Sequence, residues 1–320
     1  MSQEFSSNQP LPPLSIGNVV STGIVLYRSH FKSYFSIALR ATLWMLPLYV
    51  VTVAISINLI ERINTSDNSI LTNPLLILVL IVSWFALLIY CFAKYLTNSA
   101  LISRLTFFEL INQPESVTTA RQQTDHKMWS FLRVTVQVTL LLFVAYLATA
   151  LLVGLIFGIL VGLIGFLLRG STNQLVVGII GGLVITIGVV TFLFILFWFI
   201  SRWLIVEVPL AVEENINGSQ SIARSWELTE KQVLKIQGIL LVSSLVSLPI
   251  IFFTSYLPQI PLLFLEQSSL VYWLVYPIGL LMSLVTGIFI LPFWQTIKAV
   301  IYYDLRNRRE GLDLELTDSV

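Results

Sequence analysis

The sequence predicts an all-α polytopic membrane protein with about six transmembrane helices and cytoplasmic amphipathic interfacial helices. Three observations predict it. First, the 320 residues are 56% hydrophobic and only 11% charged, against about 45–50% apolar and about 25% charged in soluble domains. Second, apolar runs recur along the whole chain at lengths of about 20 residues or more, enough to cross about 30 Å of hydrocarbon at about 1.5 Å per residue. Third, the basic residues fall almost entirely on one side of those runs. With no water in the hydrocarbon to satisfy backbone groups, runs of this kind are helices.

In chain order, residues 1–14 are polar and carry Pro10, Pro12 and Pro13 without the basic and apolar blocks of a signal peptide, so a disordered cytoplasmic tail is expected. A six-helix membrane domain over 15–309 follows, and residues 310–320 form a second cytoplasmic tail. The apolar stretches run Ser36 to Ile60, Leu75 to Leu96, Phe131 to Leu168, Leu175 to Ser201, Ile236 to Leu257 and Leu270 to Ile301. Pro74 stands just before the second, in the first turn, where proline costs a helix nothing. The third would reach about 57 Å as one helix; it is read either as a tilted span starting below the interface, where Arg133 and Gln137 lie, or as a segment with a re-entrant bend.

Placing the N-terminus inside leaves only Arg62 and Arg169, of 18 Lys and Arg residues, on the outer side. An even number of spans preserves that separation, so both termini are expected in the cytoplasm. The basic face would attract anionic inner-leaflet lipids. The inner segments read as amphipathic helices: Ile16, Val20, Ile24, Tyr27, Phe31 and Tyr34 form one apolar stripe, and Ile222, Trp226, Thr229, Val233 and Ile236 form another, with Glu227 and Lys231 as an i,i+4 pair. Displacing the first by 202 residues puts Val20 on Ile222, Ile24 on Trp226 and Pro47 on Pro249, and Ser116 to Ser130 lies between. Three parallel repeats are therefore expected, 15–115, 116–216 and 217–309, each an interfacial helix followed by a transmembrane hairpin.

The residues that carry chemistry are sparse. The two histidines, His30 and His126, lie far apart in basic amphipathic segments, and neither a phosphate loop nor a His-Glu-x-x-His pattern occurs. No catalytic residue, metal or cofactor is expected, and no nucleic-acid partner. No span carries an ionisable residue near its centre, which disfavours ion-coupled transport; Arg40, Lys94 and Arg202 sit at inner ends, where long side chains snorkel. The lone Cys91 reads as a small hydrophobe. Gly154, Gly158 and Gly162, followed by Gly165, set against Gly178, Gly181 and Gly182, predict close helix packing, within the monomer or between copies. Pro47, Pro249, Pro277 and Pro292 are kink sites, serving either packing or a cavity. The densest polar group beside the membrane contains Arg202, Glu207, Glu213, Glu214 and Arg224; it is either a salt-linked surface or a docking site for a headgroup or a membrane protein partner.

The run Ser201-Arg202-Trp203 through Val208-Pro209 to Glu213-Glu214, then Ser221 to Thr229, resembles the membrane domain of some glycerophosphoryl diester phosphodiesterases and of related stand-alone bacterial membrane proteins. The ending Tyr302-Tyr303-Asp304-Leu305-Arg306 followed by Arg309-Glu310-Gly311-Leu312-Asp313 is similar to the close of many such chains. The resemblance implies a bacterial inner-membrane location. In that family catalysis belongs to an attached barrel with a His-Arg pair and metal-binding carboxylates; here Phe31 follows His30 and Lys127 follows His126, so the activity is not carried over. The expectation is a non-enzymatic assembly, anchoring or lipid-interacting module, or else a transporter or flippase-like protein for a lipid or apolar solute.

Overall fold

The computed structural model describes residues 14–65, 74–169, 174–266 and 269–311, so the expected tails lie outside the described residues except at Leu14 and Glu310–Gly311. The described chain is helical: α1 (Ile16–Ser29), α2 (Phe31–Thr65), α3 (Pro74–Leu110), α4 (Val117–His126), α5 (Met128–Leu167), α6 (Gln174–Trp203), α7 (Glu207–Val212), α8 (Gly218–Thr229), α9 (Val233–Ile251) and α10 (Leu270–Glu310). Six segments are long and apolar enough to cross a membrane: Phe31–Ser56, Ile77–Leu110, Met128–Leu167, Leu175–Val212, Val233–Leu263 and Leu270–Glu310. The protein is an integral membrane protein of the all-α polytopic class.

The third span is one continuous helix of 40 residues, with no re-entrant break. The proline-bearing spans behave differently from one another. Pro47, Pro277 and Pro292 sit inside continuous helices. After Pro249, α9 stops at Ile251 and relaxes into a π turn over Phe252–Tyr256 and a 3-10 segment over Leu257–Leu263. A proline lacks the donor and crowds the preceding turn, and further prolines at Pro258 and Pro261 keep the regular ladder from resuming.

The long helices exceed what the bilayer requires. The 41 residues of α10 rise about 61 Å, twice the hydrocarbon thickness, and the surplus builds a packed base at the charged end. There the buried residues concentrate: Ala100, Leu101, Ile102 and Phe107 of α3, Val208 and Leu210 of α7, and Ile297 and Ala299 to Leu305 of α10. Beyond the base the helices present apolar side chains outward, and the most apolar window of α5 has no buried residue. The buried apolar core is thus concentrated at the charged end, and the spans beyond it present apolar faces suited to lipid chains.

Both ends of the described chain meet in this base. The Leu14 amide donates to Asp304 Oδ1 at 2.8 Å and its carbonyl accepts from Arg308 at 3.1 Å. Leu14, expected in a disordered tail, is buried, and Glu310 closes α10, before the left-handed Gly311 at φ 62°. The charge of the basic face therefore begins to be spent internally at the termini themselves.

The short helices do more than lie along an interface. α1 buries Val19, Val20, Thr22 and Gly23, and an added Cβ on Gly23 would collide with the Ile297 side chain of α10. Gly23→Leu is expected to cost about 1–3 kcal/mol by overpacking, read as a lowered melting temperature of the purified protein. Both proposed stripes are broken. α1 ends at Ser29, and α8 ends at Thr229 before Lys231, whose φ of 63° is left-handed. Lys231 has therefore left the helix on which an i,i+4 pair with Glu227 was expected. The buried face of α8 is Ser221, Ser225, Leu228 and Thr229, with Ile222 and Trp226 only partly covered.

Among the described residues a short helix followed by two long ones occurs three times, with the further short helix α7 before the third set. The caps bring the middle unit into register: Ser15, Ser116 and Asn217, equally spaced in sequence, each accept a backbone N–H from the third helical residue with their side chains. Equivalent positions are then buried in all three short helices, Val19, Ala120 and Ser221 first, and Gly23, Thr124 and Ser225 one turn on. Small residues recur there because long helices of the base lie against them.

The glycine stripe does not do what its spacing suggested. Gly154, Gly158 and Gly162 are exposed, and a Cβ added to any of them, or to Gly178, Gly181 or Gly182, meets nothing within 4 Å. The α5–α6 hairpin is closed by the other face of α5, where Phe157 packs on Gly188, 2.9 Å from an added Cβ. Ala145, Thr149 and partly buried Val153, Val161 and Ile164 continue that face. The expected close packing of Gly154, Gly158 and Gly162 within the monomer is corrected by this geometry.

Candidate functional site

Most charges of the base are paired with one another. Arg104, at the end of α3, donates twice to Glu115, at 2.8 and 2.7 Å, and once to the Ala211 carbonyl of α7 at 2.7 Å. Lys298 of α10 pairs with Glu207 of α7 at 2.5 Å. Asp304 takes Lys235 at 2.5 Å and Arg308 at 3.0 Å. Lys127 donates to the carbonyls of Leu210 and Glu213 at 3.1 and 2.6 Å. Burial, reinforced by the neighbouring Arg104 guanidinium, pushes the Lys127 ammonium below its ordinary range, with Glu214 and Glu213 opposing.

Of the predicted group, Glu207 is the partner of Lys298, and Arg202, Glu213, Glu214 and Arg224 separate into three parts. Glu213 and Arg224 come together at 3.4 Å; Glu213 also accepts from the Tyr302 hydroxyl at 2.5 Å, and Arg224 pairs with Glu310, itself paired with Arg306 at 3.0 Å. Burial works against the charged Arg224, but Glu310 and Glu213 more than reverse this and raise it above its ordinary range. Glu214 is exposed and forms no ion pair among the described residues. Arg202 stands apart, 5% exposed, with its guanidinium 4.0 Å from the Trp226 ring centroid and 5.4 Å from that of Trp198. Its carbonyl accepts from Ser225 at 2.8 Å, which ties α6 to α8.

These contacts tie helices of the base together and leave little for a ligand. Glu213→Ala is expected to cost about 1–3 kcal/mol, through loss of the Tyr302 and Arg224 hydrogen bonds. Glu214→Ala should stay within about 0.5 kcal/mol of the parent. Thermal unfolding of the two variants side by side checks the contrast.

A different place in the fold has the shape of a binding site. Between α2, α3 and α10 lies a cavity of about 410 Å³, lined by Thr42, Met45, Leu48, Tyr49 and Thr52 of α2, Tyr95 of α3, and Tyr276, Leu280, Ser283, Leu284 and Gly287 of α10. Gly287 leaves room in its wall: an added Cβ there would meet only Thr42 Oγ1, at 3.8 Å. Its volume is within the about 300–1,000 Å³ of ligand pockets, and a mainly apolar wall with a few polar groups is their usual composition.

The polar groups of the wall differ in how they are satisfied. Thr52 donates to the Leu48 carbonyl at 2.7 Å and accepts from Trp84 Nε1 at 3.4 Å. Ser283 donates to Gly279 at 3.1 Å and accepts from Gln259 at 3.2 Å. The Thr42 hydroxyl, on a residue only 6% exposed, has no hydrogen-bond partner. One to two turns further toward the base the wall closes: Gln295 Nε2 donates to Ser99 at 2.5 Å, Ser103 donates to Gln295 Oε1, and Leu291 packs with Ala38 and Ala41. Tyr49, Thr52, Tyr276 and Leu280 keep partial exposure, so the cavity is not sealed at that end, and it is closed toward the base.

None of these wall residues was singled out by sequence reasoning except through Pro47 and Pro277, which flagged α2 and α10 as helices able to shape a cavity. Hydroxyl residues at i, i+7 and i+10 of one apolar span, Thr42, Tyr49 and Thr52, were the available signal. Compared with protein-family models, curated proteins and solved structures, the chain matches none.

Proposed function

We propose that the protein is a lipid-handling component of the bacterial cytoplasmic membrane, which draws one amphiphile from the bilayer into the α2–α3–α10 cavity. The observation that carries this reading is the cavity itself, which combines an apolar wall, a buried hydroxyl without a partner and an opening among lipid-facing side chains. The basic base lies in the cytoplasm, as the distribution of Lys and Arg favours, and rests against anionic lipids. The likeness to the membrane domain of glycerophosphoryl diester phosphodiesterases supports the bacterial setting. No chemistry on the bound molecule is proposed; the role is to hold or pass it.

The Gln295–Ser99–Ser103 plug and the ion pairs below it separate the cavity from the charged end, which supports holding a molecule over passing it. Reconstitution with a phospholipid carrying a nitroxide on its chain tests the reading. A motionally restricted component that saturates near one per protein, and that unlabelled lipid displaces, is the expected result. A restricted component that only grows with lipid content, as for lipid at the protein surface, contradicts it.

A further inference from the structure

The wall specifies the polar end of the occupant. Building on the lipid-handling reading above, we infer that the cavity selects an amphiphile whose polar group is uncharged and carries both a hydroxyl and carbonyl oxygens, the chemistry of a diacylglycerol.

Six hydroxyls line the space, those of Thr42, Tyr49, Thr52, Tyr95, Tyr276 and Ser283, and no charged side chain of the described residues does. Thr52 and Ser283 already donate to backbone carbonyls, which leaves the hydroxyls of Thr42, Tyr49, Tyr95 and Tyr276, each able to donate and accept, for ester carbonyls and an alcohol. Buried polar groups are rarely left without a partner, and Thr42 Oγ1 is such a group. A phosphate in the same place would lose its hydration with no cation to replace it. The neighbouring cations are committed elsewhere: Lys94 lies 3.8 Å from Asp125 and Lys298 lies 2.5 Å from Glu207. Arg40, two residues before Thr42, is exposed while Thr42 is buried, which a helix places on nearly opposite faces. A cationic headgroup fares no better, since no carboxylate of the described residues lines the wall, and Glu207, whose charge acts on Tyr95, is paired with Lys298.

Depth agrees with this assignment. Thr42 and Tyr95 are at the level of Arg40 and Lys94, which mark one membrane interface. Thr52 is ten residues farther along α2, about 15 Å deeper, or half of a hydrocarbon layer of about 30 Å. A molecule seated with its glycerol at Thr42 and Tyr95 would keep its chains within one leaflet.

Photolabelling of the full chain in phosphatidylcholine nanodiscs tests the inference, using a diacylglycerol and a phosphatidic acid that carry the same diazirine chain. The diacylglycerol should label peptides containing 42–52 and 276–287, with phosphatidic acid about tenfold weaker there, the ratio expected when one buried charge or hydrogen bond is mismatched. Thr42→Val, close in shape, should cut diacylglycerol labelling severalfold and leave phosphatidic acid labelling unchanged. Equal labelling by both probes overturns the uncharged-headgroup assignment while leaving a lipid cavity in place. Absence of labelling by either probe at these peptides removes the lipid-handling reading itself. Undiminished diacylglycerol labelling of Thr42→Val overturns the role given to its hydroxyl.

Discussion

Arg104→Ala is expected to lower stability by about 3–5 kcal/mol, the usual cost of removing one partner from a buried ion pair. The side chain is 4% exposed and holds three partners at once, two oxygens of Glu115 and the carbonyl of Ala211. Its loss leaves the Glu115 carboxylate, 17% exposed, without its guanidinium, and frees a carbonyl near the end of the short helix α7. Arg104→Lys should recover only part of the loss, because a single ammonium cannot reproduce the forked geometry. Arg104→Ala with Glu115→Ala should be less unstable than Arg104→Ala and Glu115→Ala added together. Thermal unfolding of the detergent-purified proteins measures all four, and additive losses would show that the pair is not coupled.

Gly287→Leu is expected to reduce specific lipid binding at least about tenfold, or about 1.4 kcal/mol, without loss of fold. In the cavity wall Gly287 faces Thr42, and a leucine there fills space that the polar end of the lipid needs. Glycine is the poorer helix former by about 0.8–1 kcal/mol, so the variant should be as stable as the parent or more so. That combination separates a binding defect from misfolding. The contrast is Gly23, where the same glycine-to-leucine change meets Ile297 in a packed base and lowers stability.

How much of this was legible beforehand follows from which physics each feature obeys. Span number is set by hydropathy and length, which are local, and all six spans were placed. Their true length was not, because α3 and α10 continue on polar residues such as Ser99, Ser103 and Gln295, which are buried among partner helices. The breaks at His30 and at Lys231 were missed for the same reason: apolar periodicity runs through both, and only tertiary packing separates α1 from α2 and α8 from α9. The glycines misled because GxxxG spacing says that a close approach is permitted, not that a helix is there to make it. In the α5–α6 hairpin the larger Phe157 on Gly188 makes the contact.

The candidate site divides in the same way. Arg202, Glu213, Glu214 and Arg224 were visible as a polar cluster beside the membrane, and the pairing of Glu213 with Arg224 was implicit in their charges. That Tyr302 and Glu310 complete it, and that Arg202 leaves it to stack on Trp226, depends on how α6, α8 and α10 meet. The cavity was signalled only through Pro47 and Pro277, since its wall is made by residues of three helices that resemble ordinary lipid-facing positions one at a time. Gly287 opposite Thr42 leaves room in that wall.

Native mass spectrometry of the protein released from its own membrane tests the central claim most directly, with the parent and Gly287→Leu compared under the same activation energy. A lipid retained at one per chain by the parent, and missing from Gly287→Leu, is the predicted result. The same lipid held equally by both proteins would mean that it binds outside the α2–α3–α10 cavity, and would contradict the account.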